Sequence, residues 1–207
     1  MRCFRLDCVE STNDTAKALF RAGRVDDVAY VVADRQTAGR GTRGRSWVSP
    51  PGVGIYVSIV HVGRNLRQPV TTLFTQSAGV GCVDAIRETT DVPVVLKPVN
   101  DLLVAGRKLG GILTETIIRG RRMEALITGI GINIEAAPDV GPGGYPTTCL
   151  RSHMSAEFLA AFDPSELIED VVEHVCRNHA RVFAGDMQGI ETAWRARLDP
   201  ALMVSPG

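Results

Sequence analysis

The run Gln36–Pro50, QTAGRGTRGRSWVSP, interleaves three arginines with three glycines. Glycines let backbone N–H groups approach a ligand closely. Arg40, Arg43 and Arg45 offer planar, permanently charged donors that match phosphate oxygens. Such a loop is expected to be mobile when empty and to order around a phosphorylated ligand; a solvated basic turn is the plainer reading. The string GRGTRG also satisfies G-x-G-x-x-G, but a dinucleotide turn needs a helix directly after the glycines. Here two prolines and Gly52 lead into the strand-like GVGIYVSIVHV, so that reading fails. No Gly-Lys-Ser/Thr follows, so the P-loop reading fails as well.

A second group lies in LKPVNDLLVAGRKLGGILTE, residues 96–115. The chain has 20 arginines and only three lysines, Lys17, Lys97 and Lys108, so each lysine is informative. Lys97 beside Asn100 and Asp101 suits work on an activated acid: an ammonium there neutralises a carboxylate and a phosphate as they approach each other. Asn100 and Asp101 can place donors or help hold magnesium. Lys108 reads as an ordinary hairpin-turn lysine. Gly110 and Gly111 point to a close approach of backbone. So do Gly129 and Gly131 in TGIGIN, which fit something flat packed against a strand; a sheet twist or bulge is the other reading.

The elements that must position these residues read as follows. Residues 2–9 form a strand, and Ser11 opens a helix that Gly23 ends. Residues 27–35 and 52–62 are strands and 69–88 a helix. A short strand at 94–96 leads into two strands joined at Ala105–Lys108, and 121–135 is a further strand. Residues 136–147 are a Gly- and Pro-rich loop, and 164–184 and 188–197 are helices. This order is not a regular βαβ alternation, so the fold class is α+β with a mixed, largely antiparallel sheet flanked by helices.

Composition narrows the function classes. The chain has 207 residues, formal net charge zero and 44% hydrophobic residues. That suits one compact domain and argues against a general nucleic-acid or membrane-surface binder. The five cysteines contain no C-x-x-C pair and read as reduced, mostly buried thiols of a cytoplasmic protein. No apolar run approaches a membrane span.

In order along the chain, S-T-N (11–13), Q-T-x-G-R-G-x-x-G-R-x-W-x-S-P-x-G (36–52), K-x-x-N-D-L (97–102), G-R-K-L-G-G-I-L-x-E (106–115) and G-I-G-I-N (129–133) resemble the catalytic domain of biotin–protein ligases. TTCL at 147–150 is a weaker echo of a further motif. The resemblance covers residues 1–185, leaving 186–207 as a C-terminal helix and tail, the remnant of the family's small C-terminal domain. It implies a fold related to class II aminoacyl-tRNA synthetases. It also implies a reaction in which biotin and Mg·ATP give biotinyl-5′-AMP, which then acylates a lysine of a biotin carboxyl carrier domain. Carried over by motif, Ser11, Thr12, Asn13, Gln36, Gly39, Arg40, Gly41, Thr42, Lys97, Gly111, Gly129 and Gly131 would bind biotin, with Ser11, Thr12 and Gln36 on its ureido ring. Arg40, Arg43, Arg45, Trp47, Asn100 and Asn133 would serve ATP, and Asp101 magnesium. Lys97 and Arg40 would be the catalytic residues, Lys97 bridging the carboxylate and the α-phosphate.

The sequence also departs from the family pattern. The family loop usually reads G-R-G-R-x-G, and Thr42 stands at the second arginine; weaker retention of the adenylate is expected. The usual K-W-P-N-D is K-P-V-N-D here, without the tryptophan beside the lysine. No winged-helix segment precedes Ser11, so a monofunctional ligase without a DNA role is expected, as a homodimer. Two other readings stay open. One is a ligase for lipoate or octanoate, although the R-R-x-S-G-G-G stretch of lipoate ligases is absent. The other is a non-catalytic biotin- or nucleotide-binding module.

Overall fold

A computed structural model describes residues 1–63, 71–139 and 145–202. Its seven strands form one sheet in the order β1-β2-β3-β7-β6-β5-β4. They are β1 (Arg2–Val9), β2 (Val28–Gln36), β3 (Gly54–Val62), β4 (Val95–Lys97), β5 (Asp101–Val104), β6 (Arg107–Arg119) and β7 (Arg122–Asn133). Only β1 and β2 run parallel, across helix α1 (Thr12–Arg21); the other neighbours are antiparallel. The mixed, largely antiparallel sheet of an α+β domain is therefore observed. The β5–β6 turn falls at Ala105–Gly106, both with positive φ, as a two-residue hairpin turn with the twist of its strands requires.

Sequence alternation decides the layers. Along β2, β3 and β7 adjacent apolar residues face opposite sides of the sheet. Val32, Ile59 and Ile130 join the larger core beneath helices α2 (Thr71–Thr90) and α4 (Pro164–Phe183). Val31, Val60 and Ile127 join a smaller core under α1, with Ala16, Ala125 and Ile117. The central strands are thus buried on both faces, which explains their near-continuous apolar runs.

The expected helix from Pro69 is described from Thr71; its first residues, part of the 136–147 loop and the end of the tail lie outside the described residues. Two short elements were not anticipated: a 3-10 turn at Leu150–His153 and α3 (Ala156–Ala161). Each is too short for periodicity to reveal it. The segment after residue 185 forms α5 (Met187–Arg195), whose Ile190 is fully buried in a core with Phe74 and Leu126. Beyond it, Leu198 bridges Leu96 in parallel and covers the edge of β4. Arg197 clamps the same segment to Asp84 of α2 through Nε and Nη2 at 2.6 and 2.9 Å.

Candidate active site

The α1 face of the sheet is apolar at one end and hollow at the other. Along β7 the residues on that face run Ala125, Ile127, Gly129, Gly131. On β3 Ser58 lies opposite Gly129, and on β6 Gly111 lies opposite Gly131. Side chains give way to glycines, and a cavity of about 380 Å³ opens above them. Its walls are the N-terminus of α1, the Gly/Arg loop, the β5–β6 hairpin and the segment around Tyr145.

The flat object against the glycine strand proves to be the chain's own Trp47. A Cβ on Gly131 would fall 2.5 Å from Trp47 Cε2, and one on Gly129 would collide with the Asn13 side chain. The Trp47 indole N–H is buried without a hydrogen-bond partner among the described residues, a donor available to a ligand.

At the α1 end the polar residues first hold one another. Gln36 Oε1 accepts from Thr12 N at 2.8 Å and Thr12 Oγ1 at 3.1 Å, while Gln36 Nε2 donates to Ser49 Oγ at 2.8 Å. Ser58 Oγ lies 2.7 Å from Thr12 Oγ1 and 2.6 Å from Asn13 Oδ1. Gln36 therefore holds the loop to the helix, with one amide hydrogen left over. Ser11 differs: it occupies the N-cap position and is buried, yet its hydroxyl makes no capping bond. A hydroxyl on the cavity wall that caps no helix N–H can serve a ligand as donor or acceptor.

The loop is a folded hairpin. Gly41 N donates to Arg45 O at 2.7 Å and Trp47 N to Gly39 O at 2.8 Å. Arg43 and Gly44 turn its tip with positive φ. Gly39 has no room for a side chain, because Trp47 O stands where a Cβ would go. Arg40, expected at phosphates, is paired with two carboxylates: its Nη2 lies 2.7 Å from Asp14 Oδ1 and 3.0 Å from Glu115 Oε2. Arg45 donates to Thr42 O and Thr42 Oγ1, both at 3.3 Å. Burial alone raises the Glu115 pKa. Hydrogen bonds from Lys17 and Asn13, with the charges of Lys17 and Arg40, outweigh it and hold the carboxyl below its usual value.

The two lysines of the second motif separate. Lys108 lines the main cavity beside Gly111. Its Nζ stands 2.6 Å from Asp101 Oδ1, an ion-pair distance without hydrogen-bond alignment, and 5.5 Å from the centre of a Trp47 ring. Lys97 instead lines an adjoining cavity of about 430 Å³ with Arg43, Arg45, Asn100 and Asp101. Its Nζ lies 3.6 Å from the Tyr145 ring centre and 3.9 Å from Asp101 Oδ2. A β-bulge explains why Lys108 faces the main cavity. The β5–β6 register shifts between Leu102 and Leu103, so Leu103 faces Lys108 while Leu102 faces Gly110. Strict alternation would send Lys108 to the α2 face with Gly110 and Ile112; the extra residue re-aims it into the cavity. Backbone bonds from Lys108 N to Pro146 O at 2.7 Å and from Thr148 N to Lys108 O at 2.9 Å fix it there.

The cavities together gather most of the residues singled out by type and spacing. Ser11, Thr12, Asn13, Gln36, Arg40, Gly41, Trp47, Gly111, Gly129 and Gly131 line the first, Arg43, Lys97 and Asp101 the second, and Thr42, Arg45 and Asn100 both. Asn100 spends its Nδ2 donor on Ile112 O at 2.9 Å, capping the edge of β6. Gly39 and Asn133 line neither cavity; the buried Asn133 amide donates to Thr148 O at 3.0 Å. Sequence reasoning passed over Lys108, Tyr145 and the Lys17–Glu115 pair. Lysine rarity was the signal, since all three lysines lie at the site. The five cysteines are free thiols but not mostly buried: only Cys82 is buried, while Cys3 and Cys8, on the edge strand β1, are exposed. Among the described residues no group of three or more His, Cys, Asp or Glu could hold a metal ion. No helix among them is long and apolar enough to cross a membrane.

An α+β sheet hollowed by glycines at one end, roofed by an arginine hairpin and flanked by two lysines, defines a small-molecule ligase domain. Comparison with known proteins gives the same answer. The model of the Biotin/lipoate A/B protein ligase family matches residues 6–133. A biotin–[acetyl-CoA-carboxylase] ligase of Paracoccus denitrificans is 33% identical over 197 residues, covering 91% of this chain and 77% of that protein. The bifunctional ligase/repressor BirA of Bacillus subtilis is 36% identical over 136 residues, covering 66% of this chain and 41% of that protein. Among solved structures, the Aquifex aeolicus biotin protein ligase in complex with biotin and ATP superposes with a TM-score of 0.76 at 25% identity, covering 95% of this chain and 78% of that one. The Leishmania major biotin protein ligase in complex with biotin has the same TM-score at 26% identity, covering 100% of this chain and 85% of that one. The chain belongs to the biotin/lipoate A/B protein ligase family, and its fold is that of the biotin protein ligase catalytic domain.

Proposed function

We propose that this protein is a biotin–protein ligase, acting as a ligase alone: it activates biotin with Mg·ATP and transfers the biotinyl group to a lysine of a biotin carboxyl carrier domain. The observation that carries the reading is the polarity of the first cavity. One end offers the Ser11 hydroxyl and the α1 N-terminus, the middle is glycine floor and indole, and the other end holds the Lys108 ammonium. An elongated acid with a polar head fits that order. Its ureido group meets Ser11, Thr12, Asn13 and the spare Gln36 N–H. Its chain runs past Gly111 and the Trp47 indole that covers Gly131, and its carboxylate reaches Lys108. An alkyl acid such as octanoate would leave the polar end without a partner, which disfavours it.

A carboxylate oxygen attacks the α-phosphorus and pyrophosphate leaves. The carrier lysine's amine then attacks the acyl carbon, AMP leaves and a proton passes to solvent. Lys108, Lys97 and Arg45 supply positive charge along the line where the cavities meet, and Arg43 extends it. They act by position and charge, with no covalent enzyme intermediate. Asp101 gives the second cavity one carboxylate, already beside two lysines. That residue set fits a magnesium ion carried on ATP phosphates, which needs few protein ligands, and not a protein-built cage. A cytoplasmic homodimer is part of the proposal.

The test is biotin-dependent exchange of labelled pyrophosphate into ATP, which needs no carrier. Exchange with biotin and not with lipoate or octanoate is expected. Exchange with octanoate in preference to biotin, or none with any acid, would overturn the reading.

A further inference from the structure

We infer that Glu115 is a positioning residue that ties the cavity wall to the arginine loop through a single carboxylate. Its Oε2 accepts from Asn13 Nδ2 at 2.8 Å and from Arg40 Nη2 at 3.0 Å, while Oε1 accepts from Lys17 Nζ at 2.7 Å. Asn13 is a wall residue. With Nδ2 held on Glu115, its Oδ1 faces Ser58 and fills the space above Gly129. Arg40 is a loop residue. Together with Leu113 O, which accepts from Asn13 Nδ2 at 3.2 Å, the same carboxylate orients the wall amide, and it also seats the loop.

Charge makes the seat specific. Asp14 and Glu115 bring two negative charges, and Lys17 and Arg40 two positive ones. Lys17 and Asp14 are fixed on α1 and Glu115 on β6, so Arg40 alone belongs to the loop. With the loop lifted, two carboxylates would face one lysine, and Glu115 Oε2 would keep only Asn13. Docking the loop restores neutrality. The location is also built for it. Glu115 follows Gly111 and Leu113 on the cavity face of β6, past the end of β5's pairing at Gly111, where nothing from β5 blocks the guanidinium. The reaction itself makes no demand on Glu115, which lines neither cavity.

Limited trypsin digestion of the ligand-free full chain tests this, because Arg43 and Arg45 are exposed at the loop tip. Glu115→Gln is expected to raise the nicking rate there about fivefold, the worth of a charge-assisted bond discounted for solvent screening. Arg40→Gln, which also gives up Asp14, should raise it at least as much, and the double variant should nick no faster than Arg40→Gln alone. A role confined to sheet stability would not produce that non-additivity. Unchanged nicking in a folded Glu115→Gln, or effects that multiply in the double variant, would overturn the inference. Should Glu115→Gln not fold, Asp14→Asn removes the more exposed half of the seat; faster nicking supports the inference and unchanged nicking overturns it. The digestion uses neither biotin nor ATP, so it fails or succeeds independently of the proposed function.

Discussion

Truncating Lys108 and Lys97 separately distinguishes the site as folded from the site as read along the sequence. Lys108 Nζ sits on the floor side of the main cavity with its side chain 18% exposed, and Lys97 faces the adjoining cavity at 26%. A unit charge about 4 Å from a reacting carboxylate interacts by roughly 4 kcal/mol at an effective dielectric near 20. Removing one preorganised group of this kind costs about 100- to 1000-fold in rate. Lys108→Ala is therefore expected to lower biotin-dependent pyrophosphate exchange by that factor. Lys97 stacks on Tyr145 at 3.6 Å and lies 3.9 Å from Asp101, outside the main cavity. Its removal should cost about tenfold or less, as for a partly solvated charge. Lys108→Ala also leaves Asp101 with only its longer contact to Lys97, so thermal melts of both variants must accompany the rates. Asp101→Asn in the Lys108→Ala background removes that complication. A loss for Lys97→Ala equal to or greater than that for Lys108→Ala, in folded protein, would refute the reasoning.

Three further outcomes follow from the same coordinates. Gly81→Ala in α2 places a Cβ 2.8 Å from Val175 N of α4. Backbone cannot step aside as a side chain can, so the strain should exceed the gain of about 1 kcal/mol in helix propensity. A net loss of about 1–3 kcal/mol in denaturant unfolding is expected; a stabilised variant would contradict the close packing of the two helices. His179 is fully buried, 3.0 Å from His61 Nε2 and 3.3 Å from Phe74 O, and burial pushes its pKa down to about 4 against a weaker opposing hydrogen bond to the Phe74 carbonyl. The unfolded chain takes up that proton first, so the contribution is complete above about pH 6.5 and is lost as pH falls toward 4, by about 3 kcal/mol. Unfolding titrations of His179→Gln should lack that segment of the slope, and an unchanged slope would exclude His179 as its source. Thr42→Arg should slow escape of the adenylate from the enzyme, measured by trapping released intermediate; equal rates in both proteins would remove the case for a leaky loop.

The sequence by itself determined most of the elements. Apolar, β-branched runs at 27–35 and 52–62, the turn glycines at 106 and 120, and the Ser11 helix start are local signals, and each acts within a few residues of itself. The ordered motifs carried the family in the same way, because spacing along the chain survives without knowledge of the fold. The arginine–glycine loop, the glycine strand and the value of each lysine were all legible there.

Tertiary structure alone decided which atoms meet. Asn13 finds Glu115 across 102 residues, and Arg40 finds it across 75. No local pattern encodes such pairs, since only the stacking of α1, the loop and β6 on one sheet face brings them together. Gln36 carries the right chemistry for a ligand, yet the fold turns most of it inward to hold the loop. The direction in which Lys108 points has the most definite cause. Reading β6 with a period of two sends Lys108 toward the core, and a one-residue bulge opposite Leu102–Leu103 turns it to the cavity instead. The register of two paired strands is a property of the pair, so it becomes visible only once the sheet is formed.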